Sequence, residues 1–316
     1  MPQCLISFGA NLGSRDSAIV TAARHLAAMP EVENFRASRL FETPAIGGPS
    51  GQGAFLNGVA VFDTNARARE VLLWLQALEQ RLGRERHERW AARSIDLDVV
   101  LHGSLVGGAS DLTVPHPRYT ARRFVLRPAC DVAPDYVDPR FRWTIRRLAD
   151  HLDEGVASMA LTGGDEGLRR ELGNSLETLH HVRVFHSAPT REPMMVLGTA
   201  PLGHRADSVA IPQTKIDVTD DETWLSTFVP PLLTSPGKLE QKIDARLIPR
   251  LIGRIQPTSP EDRWPAPHRM WPSSTTWPEY RLEFDDLSWA AGEIVSAFAS
   301  MRCPLVPIDD DQEWWR

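Results

Sequence analysis

Lysine is almost missing from this 316-residue chain: three of its 35 basic side chains are Lys, none of them before residue 215. The single Gly-Lys pair, Gly237-Lys238, runs into Leu239, which excludes a Walker-type phosphate loop. Cysteine is also scarce. Cys4, Cys130 and Cys303 are odd in number and far apart, so neither a disulfide framework nor a Cys-x-x-Cys metal site is available and all three read as reduced thiols. No run approaches the ~20 apolar residues of a membrane span, and Met1-Pro2-Gln3-Cys4 lacks a basic-then-apolar leader. The expectation is a cytoplasmic protein with no membrane contact. A net charge of −6 supplies no basic field for nucleic acid. His-Glu-x-x-His, Gly-x-Ser-x-Gly and a strand-to-helix Gly-x-Gly-x-x-Gly are absent as well.

The remaining charge is unevenly spread. Residues 1–155 carry 19 Arg against 18 acids, and residues 156–316 carry 16 bases against 23. The second part also holds 16 of the 25 prolines and seven of the ten tryptophans. A boundary near residue 155 follows, with an α/β accessory domain of unknown type over 156–316. Within the first part, hydrophobic periodicity predicts strands at 4–8, 36–41, 55–62 and 94–101, with helices at 16–29 and 70–82, the latter stopped by Gly83. The order βαββαβ is that of an α+β, ferredoxin-like sheet with both helices on one face and the other face free. Residues 112–151 read as a loop-rich appendix with one short helix near Trp143. Beyond it, strands are expected at 158–162, 182–185, 194–197, 280–284 and 305–308, and helices at 165–179 and 287–301. Among Trp264, Trp271 and Trp277, exposed rings would form an interface patch, although burial is the commoner fate of Trp.

The sharpest chemical signal is Asp96-Leu-Asp98. Two carboxylates at i and i+2 of a strand share a face and offer the oxygen-only ligands that suit Mg²⁺; both lining a solvated sheet face is the plainer reading. Arg84, Arg86, Arg89 and Arg93 lie just upstream, a supply of guanidinium forks for phosphate. Phe55 and Phe124 could stack on a planar heterocycle while Asn57, on the same strand face as Phe55, reads its edge; core packing is the commoner role of two Phe. His116, held between prolines in Val-Pro-His-Pro, could donate to phosphate or cap a turn.

These motifs together, in order, resemble the 6-hydroxymethyl-7,8-dihydropterin pyrophosphokinase family over residues 4–150. The segments that carry the resemblance are Gly9-Ala-Asn-Leu-Gly13, Phe41-Glu-Thr-Pro44, Phe55-Leu-Asn57, Gly83-Arg84, Arg89-Trp90 through Asp98, Leu112-Thr-Val-Pro-His116-Pro and Arg122-Arg-Phe124. The resemblance implies an ATP-dependent transferase of folate biosynthesis that uses two Mg²⁺ ions to move pyrophosphate from ATP to the pterin hydroxymethyl group, releasing AMP. It implies that Asp96 and Asp98 hold the metal and that Arg84 and Arg93 are catalytic cations. Thr43, Pro44, Ile46, Phe55, Asn57 and Phe124 would form the pterin pocket. Gln76, Glu79, Arg89, Trp90, Thr113, His116 and Arg122 would handle ATP. Three departures bear on turnover: Ala10 for the usual Ser, Ala91-Ala92 for the usual Gly-Pro in a shortened loop, and Asp111 where an Arg is common.

No family resemblance covers residues 156–316. A homodimer, or contact with a pathway enzyme through that part, is left open. The competing whole-chain reading is a retired pterin- or nucleotide-binding scaffold whose C-terminal half carries the role.

Overall fold

The computed structural model describes residues 1–84, 93–109, 111–186, 222–229, 248–257, 277–284, 286–308 and 310–316. Its elements begin with β1 (Gln3–Ala10), α1 (Arg15–Ala27), β2 (Glu33–Ala37), β3 (Phe41–Thr43), β4 (Phe55–Asp63), α2 (Ala68–Arg81) and β5 (Asp96–His102). There follow β6 (Gly107–Ala109), β7 (Leu112–Val114), a 3-10 turn at Tyr119–Ala121, α3 (Arg123–Val132) and α4 (Ile145–Asp153). The C-terminal part supplies β8 (Ser158–Thr162), α5 (Glu166–His180), β9 (Arg183–Phe185), β10 (Trp224–Ser226), β11 (Leu251–Pro257), β12 (Glu279–Phe284), α6 (Leu287–Met301) and β13 (Val306–Pro307). The fold is α+β. Among the described residues, no helix is long and apolar enough to cross a membrane.

The first sheet runs β13-β3-β4-β1-β5, with β2 also on β4, and its paired strands are antiparallel. Alternation divides its residues between two cores. Cys4, Ile6, Phe8 and Ala10 of β1 face the cluster that contains Ile19 and Leu26 of α1 and Val71 and Leu75 of α2. Leu5 of β1 and Val59 and Val61 of β4 face the other way, into a second cluster. That opposite face, expected to be free, is covered: Val125, Leu126 and Ala129 of α3 pack there, continuous with Ile294 and Phe298 of α6. Helix α3 escaped sequence analysis because Pro128 lies inside it, and Pro removes an amide donor and is penalised in a helix interior. Residues 112–151 are accordingly not loop-rich but hold a strand, a 3-10 turn and two helices. The strand expected at 36–41 is two strands, both paired with β4, Arg36 opposite Val61 and Phe41 opposite Asn57.

The second sheet is parallel in every pairing, in the order β12-β11-β8-β10-β9. Helices α5 and α6 open on aspartates, Asp165 accepting from Leu168 N–H at 2.7 Å and Asp286 from Trp289 N–H at 2.8 Å, the usual remedy for unpaired amides at a helix start. The strand expected at 194–197, and Trp264 and Trp271, lie outside the described residues. Trp277 is not a surface ring: it is buried and meets Trp143 edge-on, with ring centroids 5.1 Å apart.

The boundary expected near residue 155 falls between α4 and β8, where the sheets change over. Packing across it is continuous. One apolar cluster runs from Leu5 through α3 and α4 to β8, α5, β12 and α6. The strand at 306–307 returns to the first sheet, with Val306 opposite Glu42. Trp314 then packs edge-on against Phe8 at 6.2 Å and donates to Ser38 O at 2.7 Å. Truncation after residue 155 would therefore expose the α3 face and remove an edge strand. Ile294→Ala should lower the unfolding free energy by about 2–5 kcal/mol in one cooperative transition, followed by far-UV circular dichroism and tryptophan fluorescence together. Two separable transitions would show that the halves fold independently.

Candidate functional site

Strand register assembles the site. On the face that also packs α3, Gly9 of β1 is opposite Asn57 on β4 and Asp96 on β5, and Ser7 is opposite Asp98. Phe55 is opposite Thr43 on β3. Residues directly opposite in an antiparallel pair share a face, so the aromatic and amide side chains stand at the same end of the sheet as the two carboxylates. Gly9 keeps the space between them clear: a Cβ there would lie 3.5 Å from Asn57 Oδ1 and 4.0 Å from Asp96 Cβ.

The carboxylates are heavily engaged. Arg84 Nη2 is 2.8 Å from Asp96 Oδ1 and Arg93 Nη1 is 2.7 Å from Asp96 Oδ2. Arg122 Nη1 donates to Asp98 Oδ2 at 3.2 Å. Arg84 owes its position to the end of α2. Gly83 takes φ +75°, Gly83 N–H bonds to Gln80 O, and Arg84 N–H bonds to Glu79 O at 3.0 Å. This is a Schellman ending, which requires a left-handed residue that Gly provides at little cost, and it turns Arg84 back over Glu79. Arg93 is fixed by Asn11, whose Oδ1 accepts from Arg93 N–H at 2.7 Å while Asn11 N–H returns a bond to Arg93 O at 3.0 Å.

Glu79 is buried, with its carboxylate accepting from Leu97 N–H at 2.8 Å and from Arg84. His116 accepts at Nδ1 from Arg118 N–H at 3.1 Å, which leaves the proton of the neutral ring on Nε2. That nitrogen is 3.8 Å from Asp98 Oδ2, beyond hydrogen-bond reach. Burial, with Arg122 and Arg118 adding, holds the imidazole well below its usual range, so His116 faces the site as a neutral N–H donor.

A cleft open to solvent runs along this face. Of the expected residues, Thr43, Pro44, Ile46, Phe55, Asn57, Phe124, Arg93, Asp96, Asp98 and Arg122 line it together. Asn57 Nδ2 donates to Thr43 Oγ1 at 2.8 Å, which points Oδ1 toward Gly9. Arg122 lies over the Phe124 ring, 5.9 Å from its centroid. Arg84 and His116 adjoin the carboxylates, and Glu79 adjoins Arg84. Thr113 is buried and its Oγ1 has no hydrogen-bond partner among the described residues. Gln76 is half-buried on α2, off the cleft wall. Arg89, Trp90 and the Ala91-Ala92 departure lie outside the described residues. Asp111 pairs with Arg69 at 3.2 Å, on the surface. Ser7, Gln52, Arg118, Tyr280, Ser296 and Ser300 also line the cleft and were not anticipated. Ser7 carried a signal, as a polar residue opposite Asp98 in an otherwise apolar strand; the C-terminal residues carried none.

The donor set also suits a divalent cation. Asp96 and Asp98 present carboxylate oxygens on one strand face, and Mg²⁺ is commonly held by one or two carboxylates, with phosphate and water completing the shell.

Part of the chain is similar to known proteins. Residues 5–134 match the family model of 7,8-dihydro-6-hydroxymethylpterin-pyrophosphokinase (HPPK). A 2-amino-4-hydroxy-6-hydroxymethyldihydropteridine pyrophosphokinase of Synechocystis is 35% identical over 173 residues, 55% of this chain and 85% of that protein. One from Pseudomonas aeruginosa is 37% identical over 151 residues, 48% of this chain and 93% of that protein. A crystal structure of an HPPK-DHPS in complex with substrates aligns at a TM-score of 0.37 and 12% identity, over 51% of this chain and half (50%) of that one. The protein is an ATP-dependent pyrophosphokinase of folate biosynthesis. It belongs to the 7,8-dihydro-6-hydroxymethylpterin-pyrophosphokinase family.

Burial pushes the Glu79 carboxyl up from its ordinary 4.5 to about 7, against the pull of Arg84 and Leu97 N–H. The folded chain then holds this proton more tightly than the unfolded chain. The stabilisation is full below the unfolded value and is lost as pH rises through about 7. Glu79→Gln removes the titration. Denaturant midpoints of the wild type should therefore fall relative to the variant between about pH 5 and pH 8; parallel curves would mean that Glu79 stays ionised throughout.

Proposed function

We propose that this chain transfers the pyrophosphoryl group of ATP to the hydroxymethyl oxygen of 6-hydroxymethyl-7,8-dihydropterin, giving AMP and the pterin diphosphate. The observation that carries this reading is the joint placement, on one face at one end of one sheet, of Phe55 and Asn57 with Asp96 and Asp98, under Arg84, Arg93 and Arg122. The order β5-β1-β4, then β2 and β3, with α1 and α2 in one core, supports a ferredoxin-like first sheet. In this reading residues 1–155 carry the chemistry and residues 156–316 brace it.

The pterin ring stacks between Phe55 and Phe124. Thr43 occupies one donor of the Asn57 amide, which leaves Oδ1 and the second N–H for the polar edge of the ring. Ring and hydroxymethyl group are thus held in one orientation, and positioning is the larger part of catalysis for a loose phosphoryl transition state. The alcohol oxygen attacks the β-phosphorus, the bond from that phosphorus to the α-bridging oxygen breaks, and AMP departs. Asp96 and Asp98 would hold Mg²⁺, two ions in this reading, which would supply neutralisation of phosphate charge. Arg84 and Arg93 exchange Asp96 for phosphate oxygens, and His116 Nε2–H and Arg122 donate to the same chain. Asp96 also orients the hydroxyl and accepts its proton. Retaining both carboxylates beside three guanidinium groups gives the scaffold reading no support.

Purified protein with Mg²⁺, ATP and the dihydropterin alcohol should release AMP one-for-one with the diphosphate ester, followed by chromatography; ADP as the nucleotide product would refute pyrophosphoryl transfer. Asp98→Ala should lower kcat by about a hundredfold or more. Its thermal midpoint should hold or rise, because the change removes one of two like charges on a strand. Undiminished turnover in that variant would remove the metal assignment.

A further inference from the structure

The cleft has a wall that the family match does not reach. The matched region ends at residue 134, whereas Tyr280 of β12 and Ser296, Ala297 and Ser300 of α6 line the same cleft as Phe124, Asn57 and Asp96. Helix α6 is held against it by a charged anchor. Glu293, fully buried, takes Arg118 Nε and the Tyr280 hydroxyl, the latter at 3.2 Å. Arg118 also reaches Glu283 at 3.5 Å. The loop that carries Arg118 is in turn fastened to β12: Arg281 N–H bonds to Pro117 O at 3.0 Å, and Thr120 Oγ1 donates to Glu279 O at 2.8 Å. A buried carboxylate is tolerated only where it is paired, so the Glu293 pairing fixes which face of α6 meets the cleft.

That face presents Ser300, four residues after Ser296 and one helical neighbour from Ala297. Ser300 is 8% exposed and lines the cleft. Neither serine hydroxyl makes a hydrogen bond within the described residues. Neither oxygen is sealed from solvent, so both hydroxyls open onto the cleft, where the polar edge of a ligand would find a free donor and acceptor.

We propose that α6 is an added wall of the heterocycle site, and that Ser300, with Ser296, is a specificity-determining residue that hydrogen-bonds the polar edge of the bound bicyclic ring. The proposal rests on the pterin reading above and extends it to residues outside the family match. The pterin pocket is then completed by the C-terminal part of the same chain, and Phe124 is backed by α6 rather than by solvent.

The test compares full-length wild type with Ser300→Ala and Ser296→Leu. Affinity for the dihydropterin alcohol alone is measured by calorimetry, affinity for a nonhydrolysable ATP analogue with Mg²⁺ is measured separately, and steady-state KM and kcat are determined. Ser300→Ala should weaken pterin binding about three- to tenfold, the value of one neutral hydrogen bond. Ser296→Leu, which fills the wall, should weaken it by about tenfold or more. In both variants the pterin KM should rise, with kcat within about twofold and the ATP-analogue affinity unchanged; that last measurement also certifies the fold. Wild-type pterin affinity in both variants would overturn the proposal while leaving the pterin reading intact. A wild-type protein that binds no dihydropterin alcohol would overturn both.

Discussion

Two carboxylates two residues apart on one strand face repel each other, and much of the site is arranged around containing that repulsion. Asp96 and Asp98 are flanked by Arg84, Arg93 and Arg122, and each of these cations is supplied by a different device. The left-handed Gly83 turns Arg84 back from the end of α2, Asn11 clamps the backbone of Arg93, and Arg122 is delivered by the turn that starts α3. The pairing of β1 with both β4 and β5 sets the position of the carboxylates themselves. A one-residue slip in that pairing would turn Asp96 and Asp98 into the apolar core under α1 and α2, where unpaired charge could not be tolerated. Register and charge therefore enforce each other. In the proposed reaction the same guanidinium groups that neutralise the carboxylates in the free protein transfer to a polyphosphate, and the resting ion pairs would hold the cations in place for it.

Much of the first sheet was legible because its signals are local. Alternation in Phe55–Asp63 and helical spacing in Ala68–Arg81 require no knowledge of partners, and Asp96-Leu-Asp98 announces its shared face by period alone. What was not legible depended on contacts distant in sequence or on a local rule overridden by packing. Pro128 argued against α3, yet the apolar face of Val125, Leu126, Ala129 and Val132 buries against the sheet strongly enough to prevail. At the break that separates β2 from β3, the Ser38 side chain takes the ladder's place on β4, its Oγ accepting from Val59 N–H at 3.0 Å. Nothing near Ser300 or Tyr280 marks them as cleft residues. Their position follows from the pairing of Arg118 with Glu293, between residues whose sequence neighbourhoods are unrelated.

The same reasoning explains why the composition shift near residue 155 is a poor guide to packing. Proline and tryptophan content reports on local chain behaviour, whereas the core is a property of faces. One face of the first sheet, with α3 and α4, and the face of the second sheet that carries α5 and α6 close on a single apolar cluster. The C-terminal tail then returns to add β13 beside β3, the strand that supplies Thr43. Sequence statistics separate the parts where burial joins them.

This joining places the cleft at the seam between the two sheets. Its walls include β1, β4 and β5 on one side and β12 and α6 on the other, so a ligand that fills the cleft would meet both and resist their separation. A ligand that bridges the seam binds the closed arrangement better than the parted one, and by mass action it stabilises what it binds. Because the cluster beneath the seam is shared, that stabilisation reaches α5 and the parallel sheet as well as the carboxylate strand. Substrate affinity and the integrity of the C-terminal half are therefore linked through one interface. Such a linkage would give residues 156–316 a physical part in the proposed reaction without requiring any reacting group among them.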